Sequence, residues 1–144
     1  MSVTNVTDAL SASIKKEKYT ADVQAAAAKV DFSAFSDAIK AVLEGDDTAT
    51  VEGEQAAALK NAFEFAVVLV KMLKSEPDND DKLELYKYFK RSRNETPAQP
   101  GMFDLAGKYK YNAWKEISHI SEAKAQALYI KQVDTLIGKI GTRE

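Results

Sequence analysis

Tyr86, Phe89 and Lys90 stand at i, i+3 and i+4, so on a helix two aromatic rings and an ammonium share one patch of surface. Aromatic rings offer flat faces on which a purine stacks, and a lysine is a compact charge that follows a phosphate while its stem lies along apolar surface. Taken alone, this spacing more commonly marks the edge of a core with a solvated rim. Other chemistry lacks parts. The chain has no cysteine and one histidine, which leaves no disulfide, thiolate nucleophile or metal-ligand cluster. The histidine, His119, falls at a junction between two helices, where a turn or helix-end role outweighs a catalytic one. No acid, base and nucleophile can be assembled around it.

The chain of 144 residues suits one core, or a smaller domain with a substantial attachment. Its 20 basic and 22 acidic residues, net charge -2, give no general field for a polyanion, so nucleic acid is not an expected partner and any phosphate site must be local. No stretch approaches the roughly 20 apolar residues that span a bilayer, and the N-terminus lacks the apolar run of a secretory signal, which predicts a cytoplasmic protein.

The elements that must position these residues read as all-α. Strands would need bounded runs of β-branched and aromatic residues with period-two alternation, and none is present. In the second part of the chain the pattern predicts four helices. The first spans about 54–74 and ends before Pro77; the second spans 80–91 and the third 104–118. The fourth is capped by Ser121 and carries Ala125, Tyr129, Val133 and Leu136 on one stripe. Residues 92–103 form an irregular loop, and the lone tryptophan, Trp114, is expected to anchor the core. Before these come about three short extra helices. Val6, Leu10 and Ile14 mark one, Thr20 caps a second holding Val23 and Ala27, and Phe32, Phe35, Ile39, Val42 and Leu43 line a third that Gly45 ends.

The first helix of the four-helix part has two apolar faces. Phe63, Ala66, Val67, Val70 and Leu73 form one, and Phe65, Val68, Leu69 and Met72 form the other. A helix apolar nearly all round is buried on both sides. The second stripe therefore needs a cover. The extra helices, through Val6, Leu10, Phe32, Phe35 and Ile39, are the first candidate; a dimer partner and a membrane surface are the alternatives.

Several motifs stand in a telling order: Tyr86-Lys87-Tyr88-Phe89-Lys90, then Pro100-Gly101-Met102-Phe103-Asp104, then Gly107-Lys108-Tyr109-Lys110-Tyr111-Asn112-Ala113-Trp114. With Lys71-Met72-Leu73-Lys74-Ser75-Glu76-Pro77 before them and Ala125-Gln126-Ala127-Leu128-Tyr129 after, this stretch resembles the acyl-CoA-binding protein family over a little more than half the chain. The resemblance implies a four-helix bundle, residues 53–144; the apolar spacing before it reads as a helical extension, residues 1–52, packed on the bundle's first helix. It implies a non-enzymatic carrier and pool former for long-chain fatty acyl-CoA, with that ester as ligand and no cofactor or metal. Acyl-CoA-using enzymes and transient membrane contact are the implied partners, and the chain is expected to be a monomer.

Carried over by position, Tyr86 and Lys90 would contact the 3'-phosphate, Phe89 would stack on adenine, Lys110 would meet phosphate and adenine edge, and Tyr129 would complete the pocket. Lys71 matches a further basic position, and Leu83 and Tyr111 match positions along the acyl path. The loop after Lys90 departs from the family pattern: it is two residues short, and Gln99 replaces a basic residue. Arg91 and Arg93 are loop arginines, solvated by default, either of which could restore the charge. An interaction or adaptor protein on the same scaffold, with a weakened head-group site, is the alternative function.

Overall fold

The computed structural model describes residues 3–143; Met1, Ser2 and Glu144, the outermost ends of the two expected segments, lie outside the described residues. Seven α-helices make up the described chain: α1 (Thr4–Ile14), α2 (Ala21–Ala28), α3 (Phe32–Glu44), α4 (Gly53–Leu69), α5 (Asn79–Ser92), α6 (Leu105–Glu116) and α7 (Glu122–Ile140). Five of them begin at a side-chain cap. Thr20, Asp31, Asp78, Asp104 and Ser121 accept hydrogen bonds from the backbone N–H of Val23, Ala34, Asp81, Gly107 and Lys124 respectively. Each satisfies a donor that the first turn leaves unpaired. Gly107 also leaves room for its cap, since a Cβ there would fall 2.3 Å from Asp104 Oδ2.

α4 is the centre of the fold. It packs against α2 and α3 on one side and α7 on the other, while α5 packs on α7 and α6 on α5. Phe63, Phe65, Leu59, Ala62, Ala66 and Leu69 of α4 are all buried to 1 % exposure or less, so both apolar faces are covered within the chain. Each such large side chain contributes about 1.5–3 kcal/mol by leaving water. Val6, Leu10, Phe35 and Ile39 join the same core. Phe32 does not, being 41 % exposed at the first position of α3. Nor do all three extra helices pack on α4, because α1 lies mainly across α7 and α2.

The first bundle helix also stops earlier than its apolar pattern predicts. After Leu69 the chain tightens into a 3₁₀ turn, Val70–Met72, and Leu73 turns extended. The C-terminal tail supplies the backbone partners there. Lys74 N–H donates to Gly141 O at 2.9 Å, Arg143 N–H donates to Met72 O at 2.7 Å, and Leu73 pairs with Thr142 as an isolated antiparallel bridge. Gly141, at φ +84°, adopts the left-handed backbone that lets the tail leave α7 and turn onto α4.

Two buried charges on α7 fix the extension in place. Lys124, 8 % exposed, donates to three carbonyls at the end of α3: Val42 at 3.0 Å, Leu43 at 3.3 Å and Gly45 at 3.0 Å. Asp134, 7 % exposed, accepts from Val6 N–H at 2.9 Å, and so caps α1, whose own N-cap Val3 has no side chain to do so. A cation at a helix C-terminus and an anion at an N-terminus both oppose the helix dipole favourably.

Trp114 is not the core anchor. No residue of α6 is buried, and Trp114 is half-buried, with its ring 6.0 Å from Tyr111 and its indole N–H enclosed without a partner. Lys124→Ala is therefore expected to cost about 3 kcal/mol, since it strips charge-assisted hydrogen bonds from several α3 carbonyls at once. Trp114→Ala is expected to cost less than the about 3–5 kcal/mol of a fully buried aromatic. Urea unfolding of the two variants beside Phe63→Ala checks the order, which should run Phe63, Lys124, Trp114 from largest loss to smallest.

Candidate functional site

α5 carries the candidate site because its residues face two ways. Towards α6, Leu83 and Tyr86 form one wall of a hollow of about 510 Å³, with Ala106, Tyr109 and Lys110 opposite and Asn79, Asp80 and Lys82 at the N-terminal end of α5. Towards the core, the Phe89 ring lies 6.1 Å from Phe63 and 6.2 Å from Tyr129, and Phe63 meets Tyr129 edge-on at 5.1 Å. Tyr86 thus lines the hollow while Phe89 packs on the core rings. What the spacing suggested as one patch is a polar, aromatic hollow beside a three-ring cluster.

Lys90 and Lys110 converge on Tyr86, their ammonium groups 6.0 Å and 5.3 Å from its ring centroid. Two ammonium groups near one ring form a local positive site in a chain of net charge -2. Such a site attracts an anion without requiring a basic protein. Leu83 provides apolar wall in the hollow that Lys110 also lines, so the hollow joins a phosphate-compatible group to a surface that accepts alkyl groups.

The other expected residues lie apart from this hollow. Tyr129 is 4 % exposed, and burial, with the Glu64 carboxylate adding to it, raises its phenol pKa far above the ordinary value; it would have to be reached through the aromatic cluster. Tyr111 points its ring at Trp114. Lys71 lines a separate hollow of about 460 Å³ with Lys74, Pro77, Leu85 and Lys82, the last shared with the first hollow. Lys82, Tyr109 and Ala106 were missed in the sequence. Tyr109 and Ala106 do have a signal there, since they sit three residues apart on the helix that holds Lys110.

Arg91 falls in the last turn of α5 and Arg93 at its C-cap, where the sequence suggested a loop, and both have partners within the chain. Arg91 donates from Nε to Ile120 O at 2.7 Å and from Nη1 to Asn94 Oδ1 at 2.9 Å, bracing the end of α5 against the start of α7. Arg93 lies over Phe89, its guanidinium carbon 4.7 Å from the ring centroid, and its Nη2 is 3.5 Å from Glu64 Oε2. Arg93, Glu64 and Glu95 line a further hollow of about 420 Å³, together with Phe63 and Lys60. His119 is exposed at the α6–α7 junction, Nε2 3.0 Å from Asp47 Oδ2. Next to it, Ser121 N–H donates to Asp47 O at 2.9 Å and Ser121 Oγ to Ala49 O at 2.6 Å. His119 therefore serves the joint between the connector and the bundle.

The division between rim and cluster predicts different stability effects. Phe89→Ala is expected to cost about 2 kcal/mol, because it opens the ring cluster. Tyr86→Phe should stay within about 0.5 kcal/mol, because it alters only the rim. Thermal melts of the two variants check this.

Residues 60–133 match the family described as Acyl CoA binding protein. Acyl-CoA-binding protein homolog 1 of Caenorhabditis elegans is 43 % identical over 82 residues, which are 56 % of this chain and 95 % of that protein. An acyl-CoA-binding protein homolog of Manduca sexta is 41 % identical over 86 residues, 58 % of this chain and 96 % of that one. The crystal structure of Oryza sativa Acyl-CoA-Binding Protein 2 superposes with a TM-score of 0.52 at 34 % identity, covering 56 % of this chain and 92 % of that one. On these matches and the helical arrangement described above, the chain belongs to the acyl-CoA-binding protein family.

Proposed function

We propose that this protein binds long-chain fatty acyl-CoA esters and carries them as an intracellular pool for enzymes of lipid metabolism. The observation that carries the reading is the hollow between α5 and α6, lined by Lys110, Tyr86 and Leu83, with Lys90 approaching the Tyr86 ring as well, in a chain of this family. The lysines recruit the phosphates of the head group. Tyr86 and Phe89 offer ring faces for the base, and Leu83, with Tyr111 farther along α6, guides the acyl chain. Tyr129 and Lys71 complete the site in this reading. Each methylene transferred from water contributes about 0.8 kcal/mol, so two more carbons strengthen binding roughly tenfold until the groove is full.

The reading assigns no catalytic step. His119 is exposed, engaged with Asp47 and not among the residues lining the hollow, and among the described residues no group of acidic and histidine side chains could hold a metal. Residues 53–144 are the binding module in this proposal and residues 1–52 an extension that stiffens α4 and α7 from behind. A cytoplasmic monomer is part of the same reading, with acyl-CoA-using enzymes as partners. Transient membrane contact has a natural surface in Met102, Phe103, Leu105 and Tyr109, which are 65–92 % exposed beside Lys108. Among the described residues no helix is long and apolar enough to cross a membrane.

Calorimetric titration with palmitoyl-CoA, CoA and palmitate tests the function. Tight binding of the ester, with the two fragments weak and no ester turned over, is the expected result; hydrolysis of the thioester would replace the carrier with an enzyme. Lys110→Ala should weaken palmitoyl-CoA binding by about tenfold or more, the loss of a charge-assisted hydrogen bond worth about 1.5–3 kcal/mol. The loss should shrink as salt is raised, because the group is exposed. An unchanged affinity would move the head-group site away from this rim.

A further inference from the structure

Two groups that the proposed function gives to the ligand are occupied by the chain itself. Lys90 Nζ is 3.6 Å from Glu95 Oε1, and the face of Phe89 is covered by the Arg93 guanidinium at 4.7 Å, which Glu64 holds at 3.5 Å. The backbone makes this corner. Asn94, at φ +56°, takes the left-handed conformation, Asn94 N–H donates to Arg91 O at 3.0 Å, and Glu95 N–H donates to Lys90 O at 2.9 Å. This is the paired closure that ends many helices at a left-handed residue. It returns the chain over the last turn of α5, so Glu95 comes back onto Lys90.

The geometry points to residues 93–95 as an internal stand-in for the head group: a carboxylate on the lysine where a phosphate would sit, and a planar guanidinium on the ring where a base would stack. The inference rests on the acyl-CoA reading of this site. A ligand must displace Glu95 from Lys90 and Arg93 from Phe89, so these two residues lower its affinity and set how strongly the phosphate counts. Both pairs are part-exposed, with side chains 29–48 % accessible, and exposed pairs of this kind shift an equilibrium only a few-fold.

Palmitoyl-CoA titrations of the wild-type chain, Glu95→Gln, Arg93→Ala and Glu122→Gln test it. Glu95→Gln keeps the backbone hydrogen bond that closes the turn, and a thermal melt checks that both corner variants remain folded. The expectation is about two- to fivefold tighter binding for Glu95→Gln and for Arg93→Ala, with the Glu95→Gln gain fading at high salt. Glu122 lines the hollow of about 420 Å³ that Arg93 and Glu95 also line, without pairing to Lys90, so Glu122→Gln should change affinity much less. Equal tightening in Glu122→Gln would reduce the effect to a general loss of negative charge and overturn the stand-in. Weaker binding by Arg93→Ala would make Arg93 a ligand contact and overturn it as well. Wild-type binding with no gain in Glu95→Gln contradicts this inference alone, whereas a folded chain that binds nothing in any form contradicts the acyl-CoA reading and this inference with it. Binding seen in Glu95→Gln but not in the wild type would be the strongest support.

Discussion

A helix apolar on nearly every side cannot stand at the surface, and α4 is such a helix. Phe63 and Phe65 are adjacent but one in sequence and point apart, yet both are buried to 1 % exposure or less. The fold answers by placing α2 and α3 against one face and α7 against the other. The extension is therefore a wall of the core and no loosely tethered appendage. The consequence reaches the site, because the Phe63 face that meets α7 also meets the Phe89 and Tyr129 rings. Packing behind α4 thus sets the position of the aromatic cluster in front of it.

α7 provides the second tie. Its Lys124 and Asp134 are long-range caps, one for the end of α3 and one for the start of α1. Buried charges are costly unless their hydrogen-bonding capacity is used. Here each lies against a helix terminus whose backbone groups lack intrahelical partners. The same α7 presents Tyr129 and Ile130 to the core on its other turns. Extension and bundle therefore share one helix as well as one core, which favours a single cooperative unfolding transition.

Much of this was legible in the sequence, for identifiable reasons. Thr20 and Ser121 cap as their positions predict, because capping depends on a side-chain oxygen three residues before an N–H. The double stripe on α4 was legible because periodicity reports burial directly. Other features depend on groups distant in the chain. The 3₁₀ ending of the first bundle helix meets the C-terminal tail at Gly141 and Arg143, and the caps from Lys124 and Asp134 depend on tertiary packing that no local pattern encodes. Trp114 misled because a large aromatic side chain signals a core only where other elements enclose its helix, and α6 packs chiefly on α5 with no buried residue. At the site, helical spacing correctly drew Tyr86 towards Lys90, but it could not show that Phe89 turns to Phe63 and Tyr129, or that Glu95 returns to Lys90 through the left-handed Asn94.

The central claim, that the ligand site is the α5–α6 hollow of a bundle braced from behind by the extension, is tested most directly by hydrogen exchange of the full chain with and without saturating palmitoyl-CoA. The account predicts new protection in peptides from α5 and α6 and around Tyr129 of α7, with α1 and α3 already protected and little changed. Protection confined to the extension, or none in α5 and α6 under saturating ester, would contradict it.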